Sequence, residues 1–225
     1  MELTWRKRLW KLGDTLFHKM TFAEAASFNV LRLYAGDIPS KPLYENEGFI
    51  GLSIKQADWN TIKHDITKPF PLEDNTVDFF QAEDVLEHIS YEALPAVLAE
   101  VHRILKPGAR MRISVPDYRC DVYANRCQRD AAGAIVFDPD GGGWYKDGKL
   151  GGGAHLWFPT YEQVKALAEG SPFASARFYH YYTPEGKSVT EPIDYTLGYI
   201  DRTPDHDPRV QNPYRALSLV VDLIK

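Results

Sequence analysis

Three side chains in this sequence, Asp117, His155 and His88, are of types that can take a proton from an alcohol as a new bond forms to its oxygen. Asp117 closes the apolar run Arg110-Met111-Arg112-Ile113-Ser114-Val115-Pro116, His155 follows a glycine-rich stretch, and His88 ends Asp84-Val85-Leu86-Glu87-His88. Each also has a plainer role: Asp117 as the cap of a following helix, His155 as a packed or exposed loop histidine, His88 as an orienting residue of its own loop. Cys120 and Cys127 have no ligand histidines beside them and read as small apolar residues rather than as a redox pair. Asp201, Asp205, His206 and Asp207 sit in a proline-rich polar stretch with no metal-ligand spacing, so no metal is expected.

The elements that must position these residues alternate apolar runs with helical periods. Residues 30–33, 48–54, 59–64, 77–82 and 110–115 read as five strands. Between the last two, Leu94, Val97, Leu98, Val101 and Leu105 form the stripe of a core-facing helix, which Lys106-Pro107-Gly108 stops. Strands joined by such crossovers imply a mostly parallel sheet with helices on both faces. Ligands of such sheets sit outside the carboxyl ends of the strands. That brings residues 34–39, 53–58, 65–68, 83–88 and Asp117 to one mouth. Downstream, eight of the 16 glycines fall between Gly133 and Gly153, which excludes a helix interior and reads as a turn-rich hairpin or a lid. Thr160 is the expected N-cap of a helix over 160–168, and residues 177–182 and 217–224 read as late strands. The N-terminal segment, with Trp5, Leu9, Leu12 and Leu16 at helical spacing, reads as a helical cover of the sheet edge, or as a basic surface for a membrane or partner.

The whole chain has 225 residues, 26 Lys+Arg against 31 Asp+Glu, and a net charge of −5, with 44% hydrophobic and 25% charged residues. This is a soluble composition, and a chain of this length buries roughly 70% of its unfolded surface, so one domain without staples suffices. The acidic balance argues against a nucleic-acid partner. Two cysteines exclude a disulfide scaffold and fit a reducing cytoplasm. No apolar stretch reaches the ~20 residues of a membrane span, and Arg6, Lys7, Arg8 and Lys11 interrupt any leader-like run.

Asn75-Thr76-Val77-Asp78-Phe79-Phe80, Asp84-Val85-Leu86-Glu87-His88, Glu100-Val101-His102-Arg103-Ile104-Leu105-Lys106-Pro107-Gly108 and Ile113-Ser114-Val115-Pro116-Asp117, in this order, resemble the class I S-adenosylmethionine-dependent methyltransferases, most closely the type 11-like branch. The resemblance covers about residues 29–120. It implies an α/β fold with a Rossmann-like sheet, mostly parallel with an antiparallel C-terminal part and helices on both faces. It also implies one domain: a helical cover (1–27), a cofactor-binding half (28–120), a glycine-rich flap (121–160) and a C-terminal helix with strands (161–225).

By that resemblance the cofactor S-adenosyl-L-methionine would be held by the turn after strand one, at Tyr34, Gly36 and Asp37, by Ser53 at the end of strand two, by Asp65 and Ile66 after strand three, and by Glu83 and Asp84 after strand four. The sequence departs from the family at two of these positions. Tyr34 stands where the first glycine of the turn is usual, and Ser53 where an acidic residue usually takes both ribose hydroxyls; Asp58 is the nearest acidic substitute. Asp65 also reads as a turn residue and Glu87 as a helix N-terminal charge. The reaction implied is methylation of a hydroxyl on a small molecule or glycan, with Trp144, Tyr145 and Trp157 available to stack on a sugar. The alternatives are an inactive methyltransferase-like binding module, and a nucleotide-sugar or dinucleotide enzyme, against which the lack of G-x-G-x-x-G counts. The expected partner is a small-molecule or glycan acceptor, with no nucleic acid and no membrane span; a homodimer is left open, and the expected compartment is the cytoplasm.

Overall fold

The computed structural model describes residues 18–44, 47–201 and 217–225. The amphipathic segment with Trp5, Leu9, Leu12 and Leu16 lies outside the described residues, as do Asp205, His206 and Asp207.

The described elements, in chain order, are α1 (Phe22–Ala26), β1 (Arg32–Ala35), β2 (Phe49–Ser53), β3 (Thr61–Lys63), β4 (Val77–Glu83), α2 (Leu94–Ile104), β5 (Leu105–Pro116), α3 (Asp121–Arg126), β6 (Gln128–Arg129), β7 (Ile135–Phe137), β8 (Trp144–Lys146), β9 (Lys149–Gly151), α4 (Tyr161–Glu169), β10 (Ser175–Tyr182), β11 (Ser188–Thr190) and β12 (Ser218–Ile224). Eight strands form one sheet in the order β11-β10-β12-β5-β4-β1-β2-β3. From β3 to β5 neighbours run parallel, whereas β12 is antiparallel to both β5 and β10. Among the described residues no helix is long and apolar enough to cross a membrane.

Alternation along the strands gives the sheet two faces. Leu33 and Ala35, Ile50 and Leu52, Phe80 and Ala82, Ile113 and Val115, and Leu219 and Val221 are buried with Leu94, Val97, Leu98, Val101 and Ile104 of α2, Val164 and Ala168 of α4, and Ala25 of α1. Each large side chain so buried stabilises the fold by roughly 1.5–3 kcal/mol relative to exposure. Helix α4 starts where Thr160 predicts: its hydroxyl and the Gln163 side chain cap each other's backbone amides. Helix α2 ends at Ile104 and passes directly into β5, where Pro107 cannot continue a helix and Gly108 takes φ +76°.

The other face carries Tyr34, Phe49, Phe79, Tyr179 and Val220, covered by Tyr44, Ile193, Tyr195, Tyr199 and Ile200. Helices were expected here too, but among the described residues this cover is turns and irregular chain. Pro39 and Pro42 deny the β1–β2 connection a helical amide ladder. On residues 191–201 the sheet itself meets the backbone: Arg112 donates to the carbonyls of Asp194 (2.8 Å) and Gly198 (3.3 Å), and Gln81 donates to that of Tyr199 (2.9 Å). Arg112 also pairs with Asp222 at 2.7 and 2.8 Å, both side chains being fully buried, and Tyr179 adds its hydroxyl at 3.1 Å.

Candidate active site

The chain leaves β4 through Asp84, whose φ of +53° turns the backbone sharply, into a short 3-10 turn over Leu86–His88. Three hydrogen bonds tie this turn to residues 154–157. The Leu156 amide donates to the Glu87 carbonyl (2.7 Å), the Trp157 indole to the Leu86 carbonyl (2.9 Å), and His88 Nδ1 faces the Ala154 carbonyl at 3.4 Å. This tie places the rings of His88 and His155 4.7 Å apart and sets His155 Nε2 3.8 Å from Glu87 Oε1. Trp157 is thereby buried and structural rather than a stacking surface, while Trp144 on β8 is half exposed.

Behind His155 a polar chain fixes its proton. The Arg126 guanidinium donates to Asp138 Oδ2 (2.6 Å), and the Tyr118 hydroxyl lies 2.6 Å from the same oxygen and 2.5 Å from His155 Nδ1. Burial raises the Asp138 carboxyl, but the bonds from Arg126 and Tyr118 outweigh it and hold the group below the usual carboxylate range. An ionised Asp138 accepts a hydrogen bond from the Tyr118 O–H, so the phenol oxygen accepts Nδ1–H from His155 and the Nε2 lone pair faces Glu87. Burial, with His88 adding to it, pushes the His155 imidazole down to about 4, so it is neutral at pH 7. Burial, with Glu83 adding to it, pushes Glu87 up to about 8. Glycine at 141 permits this packing: a Cβ there would lie 2.8 Å from His155 Nδ1. The glycine-rich stretch thus lies against the site, and its hairpin β8–β9 springs from it.

Of the proton acceptors read from sequence, His88 and His155 come together and Asp117 does not join them. The Asp117 carboxylate is buried and accepts the amides of Arg119 (3.0 Å) and Tyr182 (2.7 Å), with burial raising it to about 6. Its consequence is positional, since it fixes the turn that carries Tyr118. Tyr118, Asp138 and Arg126 are the members that sequence reasoning passed over, and Glu87 was read only as a cofactor contact or a helix N-terminal charge. The sole local signal was the adjacency of Glu87 to His88.

The residues assigned to the cofactor divide. Gly36 takes φ +92°, donates to the Leu52 carbonyl (2.8 Å), and approaches Val85 so closely that a Cβ would sit 3.3 Å from its Cγ2. Asp37 lines a cavity of about 450 Å³ between the turn after β1 and residues 56–61, where Asp58 also lies. Ser53 is buried at the end of β2 and its Oγ accepts the Lys55 amide (3.1 Å). Asp65 Oδ1 accepts the amide (2.9 Å) and hydroxyl (2.8 Å) of Thr67, and Ile66 is part of the core. Asp84 is half-buried at the mouth of β4. Tyr34 and Glu83 instead bond to each other on the aromatic face (3.2 Å), where Glu83 also accepts the Tyr44 hydroxyl (2.7 Å) and the Asp201 amide (2.8 Å).

Residues 21–113, which hold β1 to β4, α2 and most of β5, match the protein family described as a methyltransferase domain. Over these residues the chain is similar to a methyltransferase domain. Its fold is similar to that of a SAM-dependent methyltransferase from Archaeoglobus fulgidus, at 12% identity and a TM-score of 0.50 over 100% of this chain and 93% of the other. Also similar are a SAM-dependent methyltransferase from Thermotoga maritima described as a possible histamine N-methyltransferase (14% identity, TM-score 0.48, 100% and 97% covered) and an S-adenosylmethionine-dependent methyltransferase from Mesorhizobium loti (15%, 0.47, 87% and 91%). A search of curated proteins found no match. The mostly parallel sheet with its antiparallel C-terminal part, expected from the four ordered motifs, is borne out, and the match to a methyltransferase domain agrees with the class those motifs resemble.

The strand ends fit that cofactor in part. Gly36 leaves the β1 turn without a Cβ where it passes Val85 in the loop after β4, Ser53 Oγ accepts a bond and can still donate one, and Asp65 Oδ2 accepts no bond among the described residues. Tyr34 and Glu83 are committed to each other and to the loops over the aromatic face.

Proposed function

We propose that this chain transfers the methyl group of S-adenosylmethionine to a hydroxyl of a small molecule or glycan, received beside Glu87, His88 and His155. The observation that carries this reading is the placement of the buried His155 ring, with Nδ1 2.5 Å from the Tyr118 hydroxyl and Nε2 3.8 Å from Glu87 in the turn after β4, which favours a neutral imidazole with its lone pair on Nε2. The cofactor supplies an activated methyl on a sulfonium, so the protein contributes alignment and a proton acceptor rather than a nucleophile. Gly36, Ser53 and Asp65 would hold the cofactor across the ends of β1, β2 and the loop after β3. His155 Nε2 receives the hydroxyl proton as the oxygen attacks, and the Tyr118–Asp138–Arg126 chain stabilises the imidazolium that results. Exposed His88 gives the acceptor a polar approach, and the half-exposed Trp144 on the neighbouring hairpin offers a flat apolar face that suits a sugar ring.

Calorimetric titration with S-adenosylmethionine and with its demethylated product, followed by labelled-methyl transfer to a panel of alcohols, sugars and amines, tests the reading. Binding of both cofactor forms with transfer to hydroxyls is expected, and His155→Asn should lower turnover by about 10²–10⁴-fold with little change in cofactor affinity. Transfer to amines alone would refute the oxygen acceptor. No cofactor binding at millimolar concentration would refute the enzyme and leave an interaction module built on the same fold.

A further inference from the structure

We propose that Glu87, His88 and His155 form a binding site for one divalent cation of the zinc and cobalt class. One potential ligand atom from each of the three side chains lies within 4.8 Å of the others, so a single ion can reach all three. Glu87 supplies the independent sign of a ligand. Its side chain is fully buried, and neither carboxylate oxygen has a hydrogen-bond partner. A carboxyl left thus in a protein interior costs free energy that a bound cation would offset.

The histidines are prepared as ligands in the manner that metal sites require. A metal-binding imidazole donates its other ring N–H to an oxygen, which fixes the tautomer and aims the lone pair. His155 does this through Tyr118, itself anchored on Asp138, and His88 does it with the Ala154 carbonyl at 3.4 Å. Both rings are thereby left with Nε2 as the free donor atom. The three hydrogen bonds between residues 86–88 and 154–157 hold the ligands from two distant segments at fixed spacing. Two imidazoles and one carboxylate suit zinc, cobalt, nickel or manganese better than magnesium or calcium, which take oxygen ligands. Three protein ligands, one of them on exposed His88, leave coordination positions open toward solvent, the pattern of a working rather than a structural site. An ion held through His155 Nε2 takes the lone pair that the methyl-transfer reading uses as a base, so the two uses exclude each other in one molecule, and the cation site stands independently of that reading.

Purified full-length protein, stripped with chelator and dialysed, would be titrated with Co²⁺ while its visible absorption is recorded, and with Zn²⁺ by calorimetry. One ion per chain is expected, with a d–d band characteristic of nitrogen and oxygen ligands. His88→Ala, which changes an exposed side chain, and the isosteric Glu87→Gln should each weaken binding at least tenfold, while His102→Ala should leave it unchanged. Absence of stoichiometric binding to wild type at millimolar metal, or binding that neither His88→Ala nor Glu87→Gln weakens, would overturn the site. Metal binding without cofactor binding would instead sink the methyl-transfer reading alone.

Discussion

Replacing Glu87 by Gln should invert the usual effect of altering a buried polar residue, stabilising the protein at alkaline pH. Burial raises the Glu87 carboxyl from 4.5 to about 8. A carboxyl with a raised native pKa holds its proton more tightly in the folded state, so its contribution is intact below about 4.5 and is lost as the pH climbs through about 8. At about 1.4 kcal/mol per decade, the wild-type protein gives up on the order of 3–5 kcal/mol across that window on account of this residue. His155 and Asp117 act over overlapping ranges. His155, lowered to about 4, costs stability as the pH falls from 6.5, and Asp117, raised to about 6, costs stability as it rises toward that value. Both are present in wild type and variant, so the difference between the two proteins isolates Glu87, whose charged or titratable neighbours are His155, His88 and Glu83. The buried glutamine amide adds a pH-independent cost of about 1–3 kcal/mol. The assay is guanidinium unfolding at pH 5, 6.5 and 8.5 with chelator present throughout. The variant should be the less stable protein at pH 5 and the more stable one at pH 8.5. Stability differences that stay constant across the three pH values would refute the assignment of a protonated, partnerless Glu87.

Arg112→Met strands the buried Asp222 carboxylate and should cost about 3–5 kcal/mol, a fall in Tm on the order of 10 °C by calorimetry, with Arg112→Met/Asp222→Leu recovering most of it. Gly141→Ala drives a methyl into the His155 ring, at 2.8 Å from Nδ1, and should lower kcat by about 10–100-fold while the cofactor Kd stays constant in calorimetry. Ser53→Asp offers the ribose a carboxylate at the end of β2 and should tighten S-adenosylmethionine binding by about tenfold; unchanged affinity would mean that the ribose is held elsewhere. Gly36→Ala, at φ +92° and against Val85, should weaken cofactor binding with a stability loss of about 1 kcal/mol or more, read by the same titration and by denaturant unfolding.

The parts of this molecule that obey local periodicity were legible in its sequence. The stripe from Leu94 to Val101 lies on the sheet, and Thr160 and Gln163 cap α4 as their spacing implies, because both follow from contacts within one or two helical turns. The site was legible only in halves. His88 and His155 could be named as proton acceptors, but Glu87 and His155 stand 68 positions apart and meet through backbone bonds that no side-chain pattern announces. Asp117 looked equivalent to them because a carboxylate at a strand end is the same letter whether it faces a substrate or, as here, two backbone amides. The aromatic face was hidden for a related reason. Arg112, Gln81 and Asp222 interrupt otherwise apolar strands, and no local pattern says what they meet: Arg112 and Gln81 donate to the carbonyls of an irregular segment over this face, and Asp222 accepts from Arg112.

The placement of β12 between β5 and β10 has a kinetic consequence. Its seven-residue ladder with β5 joins Ser218–Ile224 to residues 110–116, so the sheet closes only after about a hundred residues of intervening chain have been brought round. Non-local pairing of this kind slows folding toward the millisecond-to-second range. Until β12 docks, both β5 and β10 present an open edge, and Arg112 lacks its counterion. The Arg112–Asp222 pair therefore acts as a register key: a slip of one residue would turn Asp222 to the helical face and leave both charges stranded.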